Sequence, residues 1–216
     1  MEFIELARKR QSVRHYKQGD VPTEDIELMI DAARLAPSGK NLQYWHFIVV
    51  KDDGLRRKIA QAISAENERI SSLMDVKDKT KADRFRKFAK HFTLFFVDAP
   101  ALVIVMSKQY EPSGYNEMQL ADLDPSWLIN EKNPGMQSLG AALEHFTLRA
   151  VDLGYGSCWI TSANYADKAV QALLKETVDF DQQGYFMAAL LSVGIPEDNP
   201  KSPPKKNLRD IMTIIE

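Results

Sequence analysis

The feature that most constrains the fold is an unbroken apolar run at residues 101–106, which follows Asp98 and Pro100. The run has the length of a strand, and it lacks the alternating polar positions of a strand with one solvent-facing side. It therefore predicts a central strand that is buried on both faces. A similar run at 185–193 predicts a second buried strand, and shorter runs predict strands at 44–50, 157–161 and 211–215.

Segments with a helical spacing of apolar residues lie between these strands. A first helix should begin at Thr23, whose hydroxyl can cap it, and should end before Pro37, which disfavours helical geometry in the preceding residue. The same spacing predicts helices around 55–63, 85–92, 136–151 and 170–174, and the aromatic stripe of 85–92 is expected to face the core. Helices and strands alternate without a linker, so we predict one α+β domain over residues 1–216.

Residues 108–134 show no clear period and combine aromatic, proline, glycine and acidic residues. An irregular excursion of this length inside a compact domain is usually functional or mobile. We therefore expect this segment to lie near an active site.

The composition argues against several classes of function. Lys and Arg total 28 against 30 Asp and Glu, and a net charge of -2 gives no long-range attraction to nucleic acid or anionic membranes. One cysteine and four histidines without ligand-like spacing predict no metal site. Residues 1–6 do not resemble a signal peptide, and the longest apolar stretch is too short and too interrupted to span a bilayer. We expect a cytoplasmic protein that binds neither nucleic acid nor membrane.

Two short segments carry candidate binding residues. Arg10 and Arg14, with Ser12 between them, would reach one side of a helix end, and two guanidinium groups with a hydroxyl suit a phosphate. The alternative is a pair of solvated surface arginines. Ser38 and Asn41 precede a predicted strand and could present hydrogen-bonding groups to a planar heterocycle, or they could be ordinary turn residues.

Other apparent signals have simpler explanations. Gly154 and Gly156 follow a helix and precede a strand, which predicts a helix end and a tight turn and not a dinucleotide fingerprint. Cys158 has no recognisable activating partner and is interpreted as a small buried hydrophobe. Because the chain offers no convincing acid–base pair or nucleophile, we expect a cofactor to supply the chemistry.

Taken together, these segments resemble the nitroreductase superfamily of FMN-dependent enzymes, with some likeness to its iodotyrosine deiodinase branch. The resemblance rests on five segments in the same order: residues 10–14 (RQSVR), 36–43 (APSGKNLQ) with Trp45, 98–100 (DAP), 148–160 (LRAVDLGYGSCWI), and a C-terminal part containing 194–196 (GIP), Lys205, Lys206 and Leu208. It covers nearly the whole chain, and residues 108–134 match least. Tyr44 departs from the family, which commonly has proline before this tryptophan.

The resemblance implies a mixed central sheet surrounded by helices, and an intertwined homodimer with FMN at the subunit interface. It also implies that a C-terminal arm, residues 203–216, packs on the partner subunit. At the phosphate and ribityl end of FMN, the resemblance implies contacts from Arg10, Gln11, Ser12 and Arg14, with Arg14 nearer the ring. The partner chain would contribute Pro37, Ser38, Gly39 and Asn41. Along the ring, the implied residues are Ile160, Thr161 and Ser162. Lys205, with Lys206 as the alternative, stands where the family has a second phosphate-binding arginine.

The resemblance further implies a ping-pong reaction without a catalytic side chain. Hydride would pass from NADH or NADPH to flavin N5, with the Thr161 N–H as donor to N5, and an electron-poor acceptor such as a quinone or nitroaromatic would then be reduced. A reductive dehalogenase on the same fold is the first alternative, although residues 55–92 lack the tyrosine of the deiodinase lid. A non-enzymatic flavin carrier or sensor is the second.

Overall fold

The computed structural model describes residues 2–197 and 202–215. The helices are α1 (Phe3–Lys9), α2 (Thr23–Arg34), α3 (Asp53–Phe88), α4 (Tyr115–Leu120), α5 (Pro134–Asp152) and α6 (Asp167–Thr177). The strands are β1 (Trp45–Val50), β2 (Ala101–Lys108), β3 (Gly156–Ile160) and β4 (Tyr185–Gly194). Short 3₁₀ or π-helical turns occupy Gly39–Asn41, Ala89–Thr93, Leu94–Asp98, Leu128–Lys132, Asn164–Ala166 and Leu208–Asp210.

The four strands form one sheet in the order β1-β2-β4-β3. Residues 101–106 of β2 are completely buried, which confirms the predicted central strand. Their side chains alternate between two core layers, because successive residues of a strand face opposite sides of the sheet. Ala101, Val103 and Val105 pack with α2 and α5, whereas Leu102, Ile104 and Met106 pack with α3 and α6.

The α+β prediction is confirmed, but two details of the sheet are wrong. Every pair of neighbouring strands in the described residues is antiparallel, so the sheet is not mixed. Residues 211–215 are not a strand: they follow the Leu208–Asp210 turn, are exposed, and pair with no strand of the described chain. A short apolar run alone does not make a strand, because the backbone also needs a neighbouring strand with which to form hydrogen bonds.

The antiparallel arrangement of β1 and β2 follows from the shape of α3. This helix is interrupted at Asp78, whose φ of -159° and ψ of 91° are not helical. Arg86 pairs with Glu68 at 2.9 Å and with Asp75 at 2.7 Å. Residues 68 and 86 would lie about 27 Å apart in a straight helix, so the second half of α3 folds back on the first. The chain therefore comes back to the end of the sheet where β1 finishes, and β2 runs beside β1 in the opposite direction.

A buried arginine joins the two strand ends. Arg56 donates to the carbonyl oxygens of Lys51 at 3.0 Å, after β1, and of Pro100 at 3.3 Å, before β2. Asp53 pairs with the same guanidinium at 2.9 Å, so the buried charge is compensated. These contacts fix where β2 begins.

The aromatic stripe predicted to face the core is only partly buried. Phe88 is 45% exposed and Phe92 is 54% exposed, and their rings stack on each other with centroids 5.4 Å apart. The π-helical turn Ala89–Thr93 breaks the helical period and turns Phe92 away from the expected face, whereas Phe88, the last residue of α3, is exposed before that turn.

The irregular excursion contains some regular structure. Residues 108–134 include α4 and the π-helical turn Leu128–Lys132, joined by short loops. Within residues 2–197 and 202–215, no helix is both long and apolar enough to cross a membrane. The same residues contain no group of three or more His, Cys, Asp or Glu side chains that could hold a metal ion.

Candidate functional site

Residues 10–14 form an extended segment that lies along β3. α1 ends at Lys9, and Arg10 leaves helical geometry with φ -59° and ψ 123°. The N–H of Val13 donates to the carbonyl oxygen of Ser157 at 3.0 Å, and Ser12 forms an isolated parallel bridge with Ser157. Arg10 is thus the C-cap of α1, and the residues after it are extended and not helical, because pairing with β3 sets the backbone there.

The extended geometry nevertheless brings the predicted phosphate-binding residues together. Side chains two and four residues apart share a face of an extended chain. Arg10, Ser12 and Arg14 accordingly line one cleft, whereas Gln11 lies on the opposite face with Val13. Gln11 does not line that cleft, and its predicted contact with the cofactor stays a prediction.

The segment is anchored by close packing beneath it. Val13 is 3% exposed and lies so close to Gly156 that a Cβ on this glycine would be 2.6 Å from Val13 Cγ2. The Tyr16 hydroxyl donates to the Val13 carbonyl oxygen at 2.6 Å and lies 2.7 Å from Ser192 Oγ. Burial raises the pKa of Tyr16, so the phenol stays a neutral donor. The predicted helix end at Gly154 is also found, with φ +89° after α5.

We call the cavity that Arg10, Ser12 and Arg14 line the basic cleft, and its volume is about 900 Å³. Lys205 lies on its wall, as do residues 90–92, 94 and 95 from the turns after α3. The Arg14 guanidinium lies 5.7 Å from the centre of the Phe95 ring. Four cationic side chains (Arg10, Arg14, Lys90 and Lys205) and a hydroxyl in the lining suit a phosphate group. The cleft thus combines an anion-binding wall with an aromatic one.

A second cleft of about 460 Å³ adjoins the first and shares Arg10 and Ser12 with it. Its other walls include Trp159, Thr161 and Glu144, and the Glu144 carboxylate lies 3.6 Å from Arg10 Nε. We call it the Trp159 cleft. Together the two clefts form a continuous concave surface along residues 10–14.

Alternation along β3 decides which of its residues face the Trp159 cleft. Trp159 and Thr161 face it, whereas Cys158 and Ile160 are each 3% exposed and belong to the apolar core. Ile160 would therefore meet a ligand through its backbone, and its predicted cofactor contact stays a prediction. Burial raises the pKa of the Cys158 thiol, in keeping with its interpretation as a buried hydrophobe and not a nucleophile.

Ser162 is already engaged within the chain. The Thr93 hydroxyl donates to Ser162 Oγ at 2.9 Å. This bond ties the loop after β3 to the π-helical turn after α3. Ser162 is thus placed to support the loop that carries Thr161.

The turn after α2 lies apart from both clefts. Ser38 and Gly39 line a separate pocket with Tyr110, and the Gly39 N–H donates to Ser138 Oγ at 3.2 Å. Ser138 and Glu144 are about 9 Å apart along the axis of α5. The described part of one chain therefore gathers Arg10, Ser12, Arg14, Thr161 and Lys205, but it does not bring residues 37–41 to them.

The backbone of this turn is strained. Lys40, Asn41 and Gln43 have φ values of 54°, 52° and 49°, in the left-handed region that residues with a side chain rarely adopt. Each such conformation costs on the order of 1–3 kcal/mol and persists only where surrounding contacts determine it. Strain of this kind concentrates at ligand-binding sites, and a left-handed asparagine is also common in ordinary turns.

Several residues that line these surfaces were not predicted from the sequence. Trp159 could have been found from the alternation along its strand. Glu144 and Tyr110 carried no local signal, since their roles depend on contacts with Arg10 and Gly39, which are distant in sequence. Phe95 and Lys90 come from turns without a regular period.

The comparisons with known proteins agree with this geometry. The family model described as the nitroreductase family matches residues 7–195. The crystal structure of a BluB-like flavoprotein from Clostridium difficile 630 is 52% identical, with complete coverage of both chains and a TM-score of 0.94. A crystal structure of oxidized iodotyrosine deiodinase bound to FMN and 3-iodo-L-tyrosine is 25% identical, covers 98% of this chain and 99% of the other, and has a TM-score of 0.67.

Among curated proteins, iodotyrosine deiodinase 1 of Mus musculus is 36% identical over 108 residues. That alignment covers 50% of this chain and 37% of the mouse protein, so the chain matches well under half of the relative's length. The family model, in contrast, spans most of the chain, from residue 7 within α1 to residue 195, just after β4. The chain belongs to the nitroreductase family.

Proposed function

We propose that this protein is an FMN-dependent oxidoreductase that takes hydride from NADH or NADPH and reduces electron-poor aromatic or quinone acceptors by a ping-pong mechanism. The observation that carries the proposal is the basic cleft, where Arg10, Ser12 and Arg14 share one face and adjoin the Trp159 cleft. The family membership and the FMN-bound structural relative support the choice of FMN. A cytoplasmic location belongs to the same proposal.

The residues present fit this cofactor. Arg10, Arg14 and Lys205 would hold the phosphate, with Ser12 donating its hydroxyl. Lysine keeps the charge but lacks the planar fork of arginine, so Lys205 would contribute attraction more than geometry. The Thr161 N–H would donate to the ring nitrogen N5. FMN would supply the hydride-accepting and hydride-donating centre.

Residues 37–41 would complete the site from a second copy of the chain. Two observations support this proposal: the strained turn is distant from the basic cleft within one chain, and the C-terminal residues Leu208, Ile211, Ile214 and Ile215 are each at least 65% exposed. Apolar side chains exposed in such a series are typical of an interface.

A flavin titration with a turnover assay tests the proposed function. We expect the purified protein to bind FMN, and the bound flavin to lose its absorbance with NADH or NADPH under anaerobic conditions. Addition of a quinone or a nitroaromatic compound should then restore the absorbance. Protein that gains no flavin on incubation with FMN contradicts the proposal. Protein that binds FMN but is neither reduced nor reoxidised would instead support a carrier or sensor.

The second candidate is a reductive dehalogenase, favoured by the similarity to deiodinases. The acids of α3 that could grip an amino-acid substrate are already paired: Glu66 with Arg69 at 2.7 Å and Glu68 with Arg86 at 2.9 Å. These pairs place the dehalogenase second. Release of halide from a halotyrosine by the chemically reduced protein would reverse the order.

The two-chain site predicts that flavin binding depends on self-association. Dilution of the apoprotein until sedimentation detects only monomer should reduce FMN occupancy sharply, because residues 37–41 of a second copy are then lost. Riboflavin should show the same dependence, since the ring is what these residues contact. A stable monomer with full flavin occupancy would contradict the prediction.

A further inference from the structure

Tyr110 lies in the segment just after β2, and its side chain covers two glycines. A Cβ built on Gly39 would lie 2.7 Å from the Tyr110 Oη atom, and one built on Gly135 would lie 2.8 Å from Tyr110 Cβ. Neither position has room for a larger side chain while Tyr110 keeps this place. The tyrosine therefore packs between the turn after α2 and the first turn of α5.

The residue after Tyr110 holds the same turn by its backbone. Lys40 Nζ donates to the carbonyl oxygen of Glu111 at 3.2 Å, and it lies 5.6 Å from the centre of the Tyr110 ring. Lys40 and Asn41 are two of the residues with left-handed backbone geometry. Such a conformation needs external contacts to persist. Tyr110 supplies contacts to Gly39 and Lys40, and Glu111 accepts a hydrogen bond from Lys40.

We propose that Tyr110 is a positioning residue, whose ring holds the turn of residues 38–41 in the conformation that presents Ser38 and Asn41 to the flavin. The inference rests on the proposed function and deepens it. It assigns a role in the site to the beginning of the 108–134 segment. It also connects that segment to residues 38–41, which the basic cleft of the same chain does not include.

A merely structural tyrosine would behave differently from a positioning one. Loss of packing alone lowers the thermal midpoint of unfolding and leaves the ligand affinity of the folded protein unchanged. Loss of positioning lowers FMN affinity in protein that is still folded, because a group displaced by about 1 Å can lose most of its contribution to binding or rate. Affinity, measured where each variant is folded, therefore separates the two roles.

The first test compares Tyr110→Ala with Tyr110→Phe. Tyr110→Ala should raise the Kd for FMN about tenfold and lower kcat/KM for the acceptor, whereas Tyr110→Phe, which keeps the ring over Gly39, should stay within about threefold of the original protein. Tyr155→Ala is the matched control: Tyr155 donates to Asp25 at 2.6 Å, so its loss should lower the thermal midpoint without weakening FMN binding. Equal FMN affinity in Tyr110→Ala and the original protein overturns the inference, as does an equal loss in Tyr155→Ala.

Gly39→Ala disturbs the same contact while Tyr110 is kept, so it keeps the inference testable if Tyr110→Ala folds poorly; where both variants fold, the two changes also form a double-mutant cycle. Gly39 does not have a positive φ, and the three nearest atoms that a Cβ at this position would meet all belong to Tyr110. Gly39→Ala alone should weaken FMN binding, and adding Tyr110→Ala to it should cause a further loss much smaller than Tyr110→Ala causes alone. Additive effects of the two changes overturn the inference. If the unaltered protein does not bind FMN, the proposed function fails before either variant is needed.

Discussion

Replacing both Arg10 and Arg14 with alanine should weaken FMN binding about 100-fold or more, since a charge-assisted hydrogen bond contributes about 1.5–3 kcal/mol when shielded from water. Riboflavin, which has the ring but no phosphate, should lose much less affinity, since only a contact of Arg14 with the ring would then be missing. The difference follows from the position of both guanidinium groups on the wall of the basic cleft. Flavin fluorescence titration of both ligands against the apoprotein measures it.

Two further variants identify the cause of the loss. The Arg10→Lys and Arg14→Lys double variant keeps the charge without the planar fork, so its FMN affinity should be intermediate. Arg34→Ala with Arg69→Ala removes the same charge from two exposed, ion-paired helix positions and should leave both affinities unchanged. If riboflavin binding falls as much as FMN binding, the two arginines do not act on the phosphate.

Much of the fold could be predicted because its signals are local. The run at residues 101–106 specifies a strand buried on both faces, and its alternate residues do supply both core layers. α2 begins at Thr23 and ends at Arg34, before Pro37, although Pro22 is its N-cap and the Thr23 hydroxyl does not cap it. Each of these results depends on a few consecutive residues and on backbone geometry that they alone determine.

The sheet topology could not be predicted in the same way. The antiparallel order of β1 and β2 depends on the reversal at Asp78 and on the contacts of Arg86 with Glu68 and Asp75. No helical period reveals a single non-helical residue within a helix of 36 residues. The pairing of residues 10–14 with β3 is likewise set by a partner about 145 positions away, as the bond from Val13 to Ser157 shows.

The backbone geometry of the candidate site could not be predicted from its motif. Arg10, Ser12 and Arg14 share a face because the backbone is extended and not because it is helical, and the same change moves Gln11 away. A spacing of four residues serves either geometry, so the motif alone could not decide. Tyr110 and Glu144 contact residues that are far from them in sequence, and such contacts can be seen only in the folded structure.

The packing under the basic cleft leads to the second large effect. Gly156→Ala should destabilise the protein by about 1–3 kcal/mol, the usual range for an overpacked core, because its Cβ would approach Val13 Cγ2 to 2.6 Å. The segment that carries Arg10, Ser12 and Arg14 would have to move away from β3, so FMN affinity should fall in the same variant. Thermal unfolding and flavin titration measure the two effects.

The double variant Val13→Ala with Gly156→Ala distinguishes a steric cause from a general effect of alanine at position 156. Removing the two Val13 methyl groups eases the contact but leaves the Cβ of residue 13 at 2.8 Å, so the double variant should recover part of the FMN affinity that Gly156→Ala loses. Gly140→Ala is the matched control for stability, since its Cβ would lie 3.5 Å from Trp159, an ordinary contact, within helix α5. It should be neutral or stabilising by up to about 1 kcal/mol. If Gly156→Ala is as stable as Gly140→Ala and binds FMN normally, β3 does not position residues 10–14 through this contact.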